Sequence, residues 1–222
     1  IYNPARTQLL LDAARRDLVA VNGLWMLVAQ AKEAAEWFLN QKLPDSIIAD
    51  VYHKMQLQME NIILIGMPGC GKSTVGIVLA KIIGYKFLDT DLLIQEKTGK
   101  LLQEMINELG NKAFLDIEAD IIETLDCEKH IIATGGSAVL NSRGVDKLKT
   151  LGKLVYLKHP FEEINKRISN LDTRGVTLEN GQTLKDLYDY RSPIYENVAD
   201  IIIDANGLSI EQTAKAIMNS VK

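Results

Sequence analysis

The run Gly66-Met67-Pro68-Gly69-Cys70-Gly71-Lys72-Ser73 has the residue types and spacing of a phosphate cradle, G-x-x-x-x-G-K-[ST]. Glycines tolerate the backbone angles that let a loop wrap closely around phosphate oxygens. The loop's N–H groups and the first turn of a following helix then present partial positive charge to the ligand. Lys72 is placed to meet the β- and γ-phosphates, and the Ser73 hydroxyl to coordinate Mg2+. The flanks agree: an apolar run at 62–65 reads as a buried strand, and Val75, Val78, Leu79 and Ile82 recur at helical spacing. Gly69, Cys70, Gly71, Lys72, Ser73 and Thr74 are therefore the candidate ligands for ATP with Mg2+. Cys70 stands near a helix start, where a thiol pKa can fall, but a small residue in a tight loop is the simpler account of it.

Phe87-Leu88-Asp89-Thr90-Asp91 closes the next apolar run. Alternate residues of an extended segment share a face, so Asp89 and Asp91 point together. They fall at a strand's carboxyl end, where open α/β sheets bind ligands. One carboxylate suits the metal, directly or through water, and the other can take a proton or a hydrogen bond from an acceptor hydroxyl. Taken alone, Asp-x-Asp is as well explained by a helix cap. Thr134-Gly135-Gly136-Ser137 follows the run at 131–133, and paired glycines there let a ligand approach backbone N–H groups, with a plain turn as the alternative. Arg174, in the polar stretch Leu171-Asp172-Thr173-Arg174-Gly175, can close over the site and stabilise charge on a transferring phosphoryl group. Arg191 opens Arg191-Ser192-Pro193-Ile194-Tyr195, and its planar fork suits a carboxylate. Arg167 is a third candidate.

Such residues must be carried by a scaffold. Apolar runs at 62–65, 85–88, 131–133, 154–157 and 201–203 read as strands, and about a dozen residues of helical pattern separate them. That alternation predicts an α/β fold, a parallel sheet with helices on both faces. Before it, residues 6–40 read as two helices punctuated at Asn22-Gly23, and 42–58, with Pro44, resembles a linker holding a short helix. The net charge of −4 argues against nucleic-acid and anionic-membrane partners, which need a basic face. Cys70 and Cys127 cannot form a disulfide framework, so a reducing compartment, the cytoplasm, is expected. His53, His130 and His159 have no ligand-like spacing, and no apolar run approaches a membrane span.

Taken together, the P-loop, Phe87-x-Asp89-x-Asp91, Phe114-x-x-x-Glu118, Ala133-Thr134-Gly135-Gly136, Arg174 and Arg191-x-Pro193-x-Tyr195 resemble the shikimate kinases over about residues 59–222. The resemblance implies a three-layer P-loop fold with a five-stranded parallel sheet and a lid. The implied reaction moves the ATP γ-phosphoryl group to the 3-hydroxyl of shikimate. It implies roles too: Lys72 and Ser73 for phosphates and Mg2+, Asp89 near the metal, and Asp91 as base and binder of acceptor hydroxyls. Gly135, Gly136, Glu118 and Arg191 would serve the acceptor, Arg174 would be the lid arginine, and Arg167 would pack near the adenine. Three positions depart from the family pattern. Leu115 stands where an arginine pairs with the shikimate carboxylate, Ser137 replaces a third glycine, and Gly175 replaces a proline. A charged hydrogen bond is worth about 1.5–3 kcal/mol, so Leu115 predicts acceptor binding weakened by roughly ten- to more than a hundredfold. A kinase for another polyol acid such as gluconate, or a nucleotide-binding domain without catalysis, are the competing readings.

The N-terminal helical appendage resembles a different family. Tyr2-Asn3-Pro4, Thr7 and Asn22-Gly23-x-x-Met26-Leu27-Val28-x-Gln30-Ala31 are similar to the C-terminal helices of shikimate dehydrogenases. The glycine-rich dinucleotide turn and the catalytic lysine and aspartate of that family are not in this sequence, so no dehydrogenase activity is expected of it. The expected organisation is a dehydrogenase-like fragment at 1–45, a linker at 46–58 and a kinase domain at 59–222, the C-terminal portion of a dehydrogenase–kinase fusion.

Overall fold

A computed structural model describes residues 7–14, 16, 18–57, 60–168 and 182–221. Arg174 and its stretch lie outside these residues, as does Tyr2. The chain divides into two compact units, Ile1–Glu60 and Asn61–Lys222.

In the larger unit five parallel strands run β1 (Asn61–Ile65), β2 (Lys86–Asp89), β3 (His130–Ala133), β4 (Gly152–Lys158) and β5 (Ile201–Asp204), in spatial order β2-β3-β1-β4-β5. The central strand β1 is buried at every position, which is why its sequence is a continuous apolar run rather than an alternating one. The strands fall where the apolar runs predict them, with shifted ends. The apolar run places Tyr85 in β2, but the helix before the strand ends in a left-handed Gly84, and the Tyr85 N–H returns to Ala80 O at 2.9 Å. That helix closure uses the donor a strand would need.

Asn61 anchors the sheet's lower end. Its buried amide donates to Cys127 O at 2.6 Å and Leu151 O at 2.9 Å, and its Oδ1 accepts from His130 N. Helix α4 (Lys72–Ile83) packs on β1 and β3, and α10 (Ile210–Ser220) packs beside it. Gly76 lets α4 approach closely, since a Cβ there would stand 2.7 Å from the Phe87 ring. Helices α5 (Thr90–Thr98), α6 (Leu102–Glu123), α7 (Ser142–Leu151), α8 (Phe161–Ile168) and α9 (Leu184–Val198) complete the layers. Helix α6 breaks at Gly110, whose φ of 81° only glycine adopts without strain, and restarts ahead of Phe114 and Glu118.

The smaller unit contains α1 (Gln8–Ala14), α2 (Leu24–Leu39) and α3 (Ser46–Leu57). Asn22 punctuates the chain as its sequence suggests, with Oδ1 accepting from Leu24 N at 3.0 Å where α2 begins. The stretch expected as a linker is mostly α3, paired with α2 through an edge-to-face contact of Trp25 and Tyr52. The turn between the two helices is organised by Glu36, which accepts from Lys32, Lys42 and the backbone of Leu43. Charge pairing of this kind is not legible in a Pro-containing polar stretch. Among the described residues no helix is long and apolar enough to cross a membrane.

Candidate active site

The carboxyl ends of β1, β2 and β3 converge on the glycine-rich loop. Gly66, Gly69 and Gly71 all have positive φ, so the cradle depends on glycine at three points. Lys72 follows in the first turn of α4 and is nearly buried. Its ammonium folds back onto the loop, donating to Gly66 O at 2.8 Å and Met67 O at 2.9 Å, with Cys70 Sγ at 3.8 Å. Cys70 is itself buried and packs against Gly66, consistent with a space-filling residue. Thr74 is exposed in the same turn of α4.

Ser73 Oγ donates to Asp89 Oδ2 at 2.7 Å, joining the phosphate loop to the end of β2. The other oxygen of Asp89, Oδ1, caps α5 by accepting from the backbone N of Asp91 and Leu92. Asp89 therefore acts as the helix cap through one oxygen while the other contacts Ser73. Asp91 lies in the first turn of α5. Burial lifts its carboxyl to about 6, the nearby Asp89 charge adds to the rise, and Lys72 opposes it.

Gly135 sits between two carboxyls. A Cβ there would stand 2.5 Å from Glu118 Oε1 and 2.7 Å from Asp91 Oδ1, so only glycine fits. The Gly135 N–H donates to the buried Thr90 hydroxyl, which fixes the loop after β3 to the start of α5. Glu118, on α6, is 1% exposed and accepts from Ser137 Oγ at 2.7 Å. Burial pushes its carboxyl up to about 7. Gly136 is held from α9, where Arg191 Nη1 donates to its carbonyl at 3.1 Å and the Tyr195 hydroxyl at 2.5 Å. The four-residue spacing of Arg191 and Tyr195 puts them on one helix face, a signal present in the sequence. Sequence alone gives Tyr195 no role beyond its place in the motif. Tyr195 also stacks on Tyr156 with ring centroids 5.1 Å apart.

Arg167, on α8, reaches across the phosphate loop to Cys70 O at 3.4 Å and to His159 Nε2 at 3.3 Å. Arginine only donates, so His159 accepts at Nε2 and is neutral; burial and the Arg167 charge lower its pKa. His159 lacks metal-ligand spacing in the sequence, and it meets Arg167 from the short connection between β4 and α8. Leu115 is half-buried on α6, three residues before Glu118.

A parallel α/β sheet whose first strand opens into a glycine-rich loop with Lys72 and Ser73, faced by paired carboxylates, defines a P-loop phosphotransferase. The family model for shikimate kinase matches residues 68–222, and the chain belongs to that family. A shikimate kinase of Clostridium botulinum (strain Okra / Type B1) is 42% identical over 153 residues, 67% of this chain and 89% of that protein. A shikimate kinase of Persephonella marina is 34% identical over 165 residues, covering 74% of this chain and 100% of that protein. Among solved structures, the shikimate kinase from Acinetobacter baumannii in complex with shikimate superposes with a TM-score of 0.68 at 31% identity, covering 76% of this chain and 96% of that one.

Proposed function

We propose that this chain transfers the γ-phosphoryl group of ATP to the 3-hydroxyl of shikimate, giving shikimate 3-phosphate and ADP. The observation that carries the reading is the juxtaposition of a complete phosphate loop with Asp91, a half-buried carboxyl lifted to about 6. A base with that pKa is ionised at neutral pH yet basic enough to take the hydroxyl proton as the phosphoryl group arrives. Lys72 leaves the Gly66 and Met67 carbonyls for the β- and γ-phosphate oxygens, exchanging one set of acceptors for another. The N–H groups of Gly69 to Ser73 hold the phosphates, and Gly135, Gly136, Glu118 and Arg191 face the acceptor.

Ser73 and Asp89 fit a hard divalent cation: they are oxygen donors already in contact, at the mouth of the phosphate loop. Among the described residues no three His, Cys, Asp or Glu side chains could hold a metal by themselves. Ser73 and Asp89 would hold Mg2+ there, and the ion would offset negative charge on the phosphates. Arg174 is our choice for the arginine that closes over the transferring group.

The test is ADP release by the purified chain with Mg-ATP, with and without shikimate and with gluconate as control acceptor. Stimulation by shikimate alone is the expected result. Stimulation by gluconate instead would favour the polyol-acid reading, and ATP binding without any acceptor response would favour a domain that has lost catalysis.

We also read residues 1–45 as the C-terminal helices of a shikimate dehydrogenase-like domain, 46–58 as their connection and 59–222 as the kinase, in a cytoplasmic fusion. The support is the Asn22-Gly23 punctuation before α2 and the matching residues Met26 to Ala31. Nicotinamide-dependent oxidation of shikimate by this chain should be absent, and detectable turnover would sink the fragment reading.

A further inference from the structure

Two positions at which the sequence leaves the family pattern lie near one side chain, and one of them bonds to it. Leu115 precedes Glu118 by three residues on α6, one turn away on the same side of the helix. The Ser137 hydroxyl, from the loop after β3, donates to Glu118 Oε2 at 2.7 Å. A carboxyl as deeply buried as Glu118 is costly without a cation or hydrogen bonds. An arginine at 115 would place a cation beside it, and leucine cannot. A glycine at 137 would offer it no side-chain donor, and serine does.

Glu118 Oε1 is buried and has no hydrogen-bond partner among the described residues. It lies beside Gly135, on the flank that Asp91 Oδ1 also borders. A buried acceptor without a partner, beside the carboxyl proposed as base, has a hydrogen-bonding demand that a ligand hydroxyl can meet.

We infer that Ser137 is a positioning residue for the acceptor: its hydroxyl fixes the Glu118 carboxyl so that Oε1 stands beside Asp91 and binds an acceptor hydroxyl. In this chain the pair takes over part of the orienting work that an arginine at 115 would do. The inference rests on the shikimate kinase reading. The charge state supports it. Burial holds Glu118 near 7, Asp91 adds to the rise, and the Ser137 bond, Arg191 and Lys72 oppose it. Near neutral pH Oε1 therefore meets a hydroxyl either as donor or as acceptor.

Steady-state kinetics of the full chain test this, using Mg-ATP and shikimate with wild type, Ser137→Ala, Ser137→Gly, Leu115→Arg and the Ser137→Ala/Leu115→Arg double variant. Loss of one hydrogen bond to a buried carboxyl should raise the KM for shikimate about five- to thirtyfold in Ser137→Ala, with kcat and the KM for ATP within about twofold. The pH at which that KM inflects should also move upward, because the bond that lowers the Glu118 pKa is gone. A purely structural role for Ser137 would not shift that inflection. Adding Leu115→Arg should restore most of the lost affinity. If Ser137→Ala misfolds, Ser137→Gly carries the same expectation. Unchanged shikimate KM and pH profile in these variants, beside a wild type that turns over shikimate, would overturn the inference alone. A wild type inert toward shikimate would overturn the functional reading, and the inference with it.

Discussion

Asp91 and Glu118 are two carboxyls that burial holds above the ordinary carboxylate range. If Asp91 is the base, only its ionised form is active. The rate at low shikimate should then fall about tenfold per pH unit below about 6, and Asp91→Asn should lose about 10²–10⁴ in kcat along with that acid limb. Rate profiles from pH 5 to 8 check both. Stability follows the opposite sign. A carboxyl whose folded pKa is raised favours the folded state while neutral. For Glu118 that contribution is complete below 4.5 and is lost as pH rises through about 7. Glutamine mimics the neutral acid and keeps an oxygen for Ser137. Glu118→Gln should therefore raise the melting temperature of the ligand-free protein at pH 8 by several degrees, about 2–4 °C per kcal/mol, with little change at pH 4.5. A change of equal size at both pH values would mean that packing, not ionisation, is responsible.

At the scale of elements, the apolar runs and glycine signals carry the fold: each predicted strand exists, because buried parallel strands leave a continuous apolar trace. The phosphate loop is equally legible, since its chemistry is contiguous in sequence. What sequence does not disclose depends on pairs that meet only when different elements fold together. The Ser137–Glu118 bond spans α6 and the loop after β3, the Arg167–His159 contact spans α8 and the end of β4, and Asn61 ties three backbone segments together. Periodicity reports which face a residue takes, not which partner waits there. Asn61 makes the cost of such a pairing measurable. Asn61→Ala removes three hydrogen bonds in a buried place and strands two carbonyls and an N–H, which should destabilise the fold by about 3–5 kcal/mol. Because the defect lies at the end of the sheet away from the phosphate loop, kcat of the folded fraction should stay near wild type. Denaturant unfolding beside active-site-normalised kinetics separates the two effects.

For the whole molecule, every described residue placed in the site belongs to the unit Asn61–Lys222, which has its own sheet, core and phosphate loop. None of the described site residues comes from the helices of Ile1–Glu60. A chain begun at Glu60 should therefore fold cooperatively and keep shikimate-dependent ADP release within about twofold of the full chain, since burial in the larger unit is sufficient for a domain of that size. The deleted helices carry Trp37 and Phe38, which are 88% and 93% exposed, together with other exposed apolar side chains. Exposed apolar patches promote association, so the shorter chain should also remain monodisperse at higher concentration, as light scattering would show. If it instead loses acceptor-dependent turnover while still binding ATP, residues before Glu60 contribute to the acceptor side, and the division of labour proposed for the two units is wrong.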